Sequence, residues 1–507
     1  MTTYTVGENQ AYKTIGAALE AAAPGDVVEV RPGTYHEVVV LDKPGVLLLG
    51  NPGATIDGRY SPLLFGDSAY TDLNGRPVGK GELPALTQAN AKRGGWVYNG
   101  SLNTKGYSAA VKLAADGTRL AGFTIRNIPG RAIVIDGDGC EATGNRIDFT
   151  YGGAIGVATG CVNVRVADNV ITRSSIKYYD PTREGAGPGR VQTTIICGGT
   201  DVTVEGNTVA YCEGEGISAD KAAVRPVIRG NVIHTCRHWA LGVNGSEGAI
   251  IEGNVVYWCD NLHSVFDKAN PADLLVIGNE LGDTDPRKAT TRNLIVRDNV
   301  LTGGKRPFLI GGAGRPVQFV DTEIYNNTII GRVTPGTERP TFTWSCMKAM
   351  PHDGTDVMGN VVLWEPAAPG ISYQSGGNVT WAANVWSGLP PAGMRGENDA
   401  VADGLILHNP FAPIIGAFDV YAPDMPDVAT TFDLDNYRPL AGSVADGRGA
   451  LLPLVAEPPP DPPEPDYDWL IAALEGNLEK LEAAGLAVGA AVLDAHELID
   501  LLKLKAG

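Results

Sequence analysis

Basic residues, methionine, phenylalanine and cysteine are all scarce in this chain of 507 residues. Lysine and arginine number 40 against 58 aspartates and glutamates, a formal net charge of −18. Proteins that grip nucleic acid need a basic face to displace counterions, so nucleic acid is excluded as a main partner. No apolar run approaches the ~18 residues of a membrane span. The opening residues, Met1-Thr-Thr-Tyr-Thr-Val-Gly-Glu8, carry neither a basic stretch nor an apolar core, so no secretory leader is read and the chain is expected to be made in the cytoplasm. Seven cysteines leave at least one unpaired, and none forms Cys-x-x-Cys or has a histidine at zinc spacing. P-loop, GxSxG, HExxH and dinucleotide motifs are missing too, so neither metal nor cofactor is expected.

What is abundant is glycine, 65 residues, beside 43% hydrophobic and 19% charged residues. That composition supports a packed core with many tight turns and excludes wholesale disorder. Asparagine recurs with an apolar residue two places on, usually after Gly or Asp. The anchors are Asn145, Asn169, Asn207, Asn231, Asn254, Asn279, Asn299, Asn327 and Asn360, with gaps of 24, 38, 24, 23, 25, 20, 28 and 33. A period near 24 is too short for a propeller blade and suits one turn of a solenoid. Between anchors lie short alternating runs such as Val202–Glu205, Ala249–Glu252 and Asn293–Val296, bounded by turn residues. Coils stacked ~4.8 Å apart let each buried amide bond the asparagine above and below. Cys212, Cys236 and Cys259 each fall five residues after an anchor, which makes them a stacked ladder as well.

These features resemble the right-handed parallel β-helix proteins of the pectate-lyase type, over roughly residues 1–455. The N-terminal stretch Tyr12–Tyr35 carries much of the resemblance: a capping helix over Ile15–Ala23, a Pro24-Gly25-Asp26 turn, a strand, and Pro32-Gly-Thr-Tyr35. Phe432–Ser443 looks like the closing segment of such domains. The implied fold class is all-β, and the scaffold hosts lyases, hydrolases, epimerases and inert fibres alike. The polygalacturonase, alginate epimerase and pectate lyase motifs are absent.

Three stretches break the period: Tyr60–Gly106, Ser174–Gly189 with Tyr178-Tyr179-Asp180, and Thr334–Asp353 with Trp344 and His352. Long loops on a rigid scaffold carry ligand contacts or shield a flank. Residues 456–465 are a stiff proline-rich linker. Residues 466–507 read as a helical segment for oligomerisation or anchoring. Ile471, Leu474, Leu478, Leu481, Gly485, Val488, Val492, Ala495, Ile499 and Leu502 follow 3-4 spacing, which suits a coiled coil or two shorter helices broken near Gly485.

Residues at equal offsets from the asparagines stack. Offset six reads Glu213, Arg237, Asp260, Asp285, and offset thirteen reads Asp220, Asn244, Asp267. Asp220 and Asp267, ~9–10 Å apart over two coils, suit inverting glycoside hydrolysis, and with His238 they form the candidate catalytic set. Glu213, Arg237, Trp239, Asp260, His263, Lys268, Tyr178 and Tyr179 are the candidate substrate-binding residues. Trp239 and the tyrosines would stack on sugar rings, and Arg237 would pair with an acidic group. The competing reading makes Glu213–Arg237–Asp260 a simple surface charge ladder.

The resemblance to phage tailspikes implies a trimeric virion spike that binds host cell-surface polysaccharide, with or without cleaving it. Other virion proteins would attach through the C-terminal segment. The alternatives are a structural, non-catalytic spike or decoration protein, and a bacterial polysaccharide lyase or hydrolase.

Overall fold

The computed structural model describes residues 1–58, 70–71, 77–78, 109–128, 130–150, 152–175, 193–219, 223–261, 272–278, 290–311, 318–333, 341–345, 352–366, 368, 370–374, 377–416 and 428–450. The chain divides into two compact units, Met1–Leu451 and Leu452–Gly507. The proline-rich linker and the heptad segment lie outside the described residues.

Among the described residues, a typical coil contributes one short strand to each of three parallel sheets, of 14, 13 and 11 strands. Residues 141–157 make one coil: Glu141–Thr143 in the first sheet, Arg146–Thr150 in the second and Ile155–Val157 in the third. The strands are short because left-handed turn residues interrupt them at every corner. Strand pairing between coils then aligns equivalent side chains. Val166, Val204, Ile228 and Ile251 form one inward column, and Ile171, Val209, Ile233 and Val256 another. Ile195, Ile217 and Leu241 form the third. All are buried in one continuous core. Truncating one such Ile or Leu to Ala costs about 2–5 kcal/mol.

The asparagines occupy the corner between the first and second sheets. Asn207 Nδ2 donates to Asn231 Oδ1 at 3.0 Å, and Asn231 Nδ2 to Asn254 Oδ1 at 3.0 Å. The ladder starts at Asn145, runs through Asn169 to Asn254, and continues through Asn299, Asn327, Asn360 and Asn384. It ends on Asp399, whose carboxylate accepts from Asn384 N at 2.8 Å. Two expectations change. The ladder passes directly from Asn254 to Asn299, so that coil is 45 residues long, and Asn279 lies outside the described residues. Asn384, not anticipated, is a rung.

The preference for Gly or Asp before each rung has a backbone cause. Gly144, Asp168, Gly206, Gly230, Gly253, Asp298, Asn326, Gly359 and Ala383 all have positive φ, between 53° and 64°. Glycine adopts that region freely and Asp or Asn at modest cost.

At the N-terminal end a helix spans Ile15–Ala21, two residues shorter than the sequence suggests. Ile15, Ala18 and Leu19 pack into the core. Glu37 accepts from the N–H groups of Ile15 and Gly16, and Lys43 Nζ donates to the carbonyls of Leu19, Glu20 and Ala22. A carboxylate at the N-terminus and an ammonium at the C-terminus both oppose the helix dipole. Among the described residues no helix is long and apolar enough to cross a membrane.

Candidate functional site

The three flanks of the coil differ in what already occupies them. On the second sheet lie residues from the C-terminal end of the described chain. Ile414 N donates to Asp260 Oδ2 at 2.8 Å, Arg332 Nη1 donates to the Ala412 carbonyl at 2.7 Å, and Ala450 N donates to Thr328 Oγ1 at 3.0 Å. Phe432, in the segment picked out as a closing motif, stacks on Tyr257, which stacks on His234. Burial in this stack pushes the His234 pKa down to about 3.

The outer face of the first sheet carries a charge ladder that satisfies itself. Arg165 and Arg229 both pair with Glu205, at 2.7 and 2.6 Å, and Arg297 pairs with Glu252 at 2.5 Å. Burial pushes the Glu205 carboxyl up, but the two arginines outweigh it and hold it below the usual range.

The third sheet remains. The three long stretches seen in the sequence adjoin its strands Ala109–Leu113, Thr193–Cys197 and Phe342–Ser345 in chain order. Its strands begin with a polar column. Thr193 pairs in register with Glu215, Trp239 with Asp273, and Asp273 with Arg306. Glu215 and Trp239 each stand two residues before the partnered Ile217 and Leu241. Thr193 Oγ1 donates to Glu215 Oε2 at 2.6 Å, and Glu215 Oε1 lies 3.3 Å from His238 Nδ1. The His238 ring stacks on Trp239, centroids 5.1 Å apart and planes 22° apart. Both rings are half-buried. A Cβ at Gly242 would meet Trp239 Cε3 at 3.3 Å, so the indole lies over a glycine in its own strand. The carboxylate of Asp273 is bound by Arg306, with Nε to Oδ1 at 2.7 Å and Nη2 to Oδ2 at 2.5 Å.

Of the candidate residues, the structure brings His238 and Trp239 together and adds Glu215 and Thr193, which sequence reasoning missed. Their signal was present, since each opens a third-sheet strand one register step from the next. The offset-six column is corrected. Glu213 and Arg237 are buried, 4% exposed each, with Arg237 Nη1 3.7 Å from Glu213 Oε2. A guanidinium enclosed in this way is not a rung of a surface ladder. Asp260 leaves the column for Ile414 N–H and for Arg332, Nη2 at 2.8 Å. Burial raises its pKa despite both. Trp344 and His352, placed by sequence in a ligand-contact loop, are core residues. Asp220, Asp267, His263, Lys268, Tyr178, Tyr179 and Asp285 lie outside the described residues.

Buried charge also sits at the corner leading into this sheet. Asp148 accepts from Thr172 Oγ1 at 2.8 Å and from Arg173 Nε at 2.9 Å, with Arg173 Nη2 on its other oxygen. Arg173 also lies over the Phe149 ring, 5.2 Å from its centroid. The cysteines in the adjoining turns, Cys212, Cys236 and Cys259, are buried free thiols.

Comparison with known proteins bears on the scaffold. Residues 108–280 match the family described as the right handed beta helix region. No curated protein sequence matches the chain. Among solved structures, PfbA, a surface adhesin of Streptococcus pneumoniae, is 14% identical with a TM-score of 0.47, covering 77% of this chain and 95% of its own. The pectate lyase Pel9A is 12% identical with a TM-score of 0.42, covering 76% and 80%. The Dettilon tailspike protein is 12% identical with a TM-score of 0.39, covering 76% and 64%. With its three parallel sheets, its continuous asparagine ladder and the family match, this chain is a right-handed parallel β-helix protein.

Proposed function

We propose that the chain is a β-helix spike that binds cell-surface polysaccharide along the flank of its third sheet. The observation that carries this reading is the Trp239–His238 platform, half-buried on a rigid strand, with Glu215 hydrogen-bonded beside it. A flat aromatic face beside polar groups matches a sugar ring, which has apolar C–H faces and a hydroxyl rim. Glu215, fixed by Thr193, is positioned to accept from a hydroxyl. The other two flanks support the choice, because one is covered by the chain's own segment and the other pairs its charges internally. The virion setting and the trimer are part of the proposal. They rest on the acidic β-helix followed by a proline-rich spacer and a heptad segment, the arrangement that resembles tailspikes.

A second reading, cleavage of the bound glycan, is favoured by one contact. The Glu215–His238 hydrogen bond fixes one ring nitrogen of the imidazole, as proton-transferring histidines require. Purified chain is titrated against host capsular and lipopolysaccharide, with fragment release followed by size. Binding without release supports the spike, and binding with release that His238→Gln abolishes supports cleavage. No binding to any surface glycan leaves a structural spike and overturns the proposal.

A further inference from the structure

The last coils enclose an aromatic corner that the glycan surface does not use. Trp344 lies in the third-sheet strand Phe342–Ser345, and His352 stands just before the first-sheet strand Asp353–Met358. Trp381 sits one coil later, in register with Val357. Their relative exposures are 0%, 1% and 6%, so no solvent reaches the rings in bulk. Trp344 is the hub: its ring lies 5.0 Å from that of Trp381 and 5.6 Å from that of His352.

The polar atoms of these rings are unusual. Among the described residues, Trp344 Nε1, Trp381 Nε1 and His352 Nε2 are buried with no hydrogen-bond partner. The tautomer of His352 follows from its other nitrogen. Nδ1 accepts from Phe319 N–H at 2.9 Å, so the proton of the neutral ring is on Nε2. Burial keeps the ring neutral by pushing its pKa down to about 4. All three orphan atoms are therefore N–H donors. Native interiors rarely leave one such group unmet, and three at one corner call for an acceptor. Trp386, in the same aromatic cluster, shows the satisfied case: its Nε1 donates to Asp399 Oδ2 at 3.1 Å.

We infer that this corner binds one small hydrogen-bond acceptor, a halide ion or a single water molecule, held by the N–H groups of Trp344, Trp381 and His352. That all three unmet groups are donors favours the halide. A halide receives three N–H groups and has no hydrogens to place. Water offers two lone pairs and must still turn two O–H groups toward ring faces or backbone oxygens.

Crystals of the full chain grown without halide and then soaked in sodium bromide test this with anomalous diffraction. A bromide peak within hydrogen-bonding range of the two indole nitrogens supports the halide, and a water-sized peak without anomalous signal supports the water. Featureless density in both crystals overturns the inference. The Trp344→Phe/Trp381→Phe variant keeps an aromatic ring at each position and removes two donors. The peak is expected to vanish there, and its persistence at full height would show that these groups do not hold it.

Discussion

Replacing Asn231 by alanine removes one rung from the middle of the ladder, and the structure fixes what that exposes. The Asn231 side chain takes part in five hydrogen bonds. Its Oδ1 accepts from Asn207 N at 2.9 Å and from Asn207 Nδ2 at 3.0 Å. Its Nδ2 donates to Asn254 Oδ1 at 3.0 Å, Val204 O at 3.0 Å and Arg229 O at 3.1 Å. After substitution Asn207 Nδ2 keeps its bonds to Val166 O and Glu205 O, and Asn254 Oδ1 keeps Asn231 N. The Asn207 N–H keeps nothing. One orphaned buried donor costs about 1–3 kcal/mol, and the other four lost bonds roughly 0.5–1 each, so Asn231→Ala should cost about 3–7 kcal/mol. Asn163, exposed and at φ 56°, is the control, and Asn163→Gly should change stability by less than about 0.5 kcal/mol. Denaturant unfolding followed by circular dichroism measures both. A loss below about 1 kcal/mol for Asn231→Ala would show that the amides decorate the coil without holding it.

Other outcomes follow from the same structure. His234 has a folded pKa near 3 against an ordinary 6.5, so the unfolded chain takes up a proton that the folded chain refuses. Its contribution is therefore undiminished above pH 6.5 and falls with acidification, by about 2 kcal/mol at pH 5. His234→Phe should flatten that part of the stability–pH curve, and an unchanged slope would refute the assignment. Arg173→Met leaves the buried Asp148 carboxylate short of its partner and should cost about 3–5 kcal/mol in chemical unfolding, with much of the loss recovered by adding Asp148→Asn. Ala383→Gly should stabilise by about 1 kcal/mol, because Ala383 alone among the residues before rungs is a non-glycine without a side-chain amide or carboxylate to ease φ 54°. A lower melting temperature for that variant would contradict the account of the turn. Trp239→Ala should weaken glycan binding roughly tenfold, the size of one ~1.4 kcal/mol aromatic contact.

The scaffold was readable because its rule is local and repeated. A left-handed residue followed by a buried amide spells Gly-Asn or Asp-Asn, and eight rungs announce themselves that way or as Asn-Asn. Ala383-Asn384 broke the spelling and was passed over. Gly278-Asn279 kept the spelling, yet Gly278 ends a third-sheet strand, away from the ladder corner. The site was harder to read because counting offsets from the asparagine assumes equal coils. Coils of 24, 38, 23 and 45 residues do not keep one phase. Glu213 and Arg237 do share a column, but an offset says nothing of burial, and both are enclosed. Glu215 and Thr193 each open a third-sheet strand, but their pairing is set by strand register across a break in the repeat, which counting from the asparagines does not follow. Asp260 illustrates the remaining gap: its partners Ile414 and Arg332 lie 154 and 72 residues away, and no periodicity connects them.

The most direct test of the polysaccharide-binding surface is a crystal structure of the chain with an oligosaccharide cut from a surface glycan that it binds. The account predicts a sugar ring stacked on Trp239, with hydroxyls in reach of Glu215 and His238. A sugar seated instead on the Arg165–Glu205–Arg229 ladder of the first sheet, with Trp239 untouched, would contradict it.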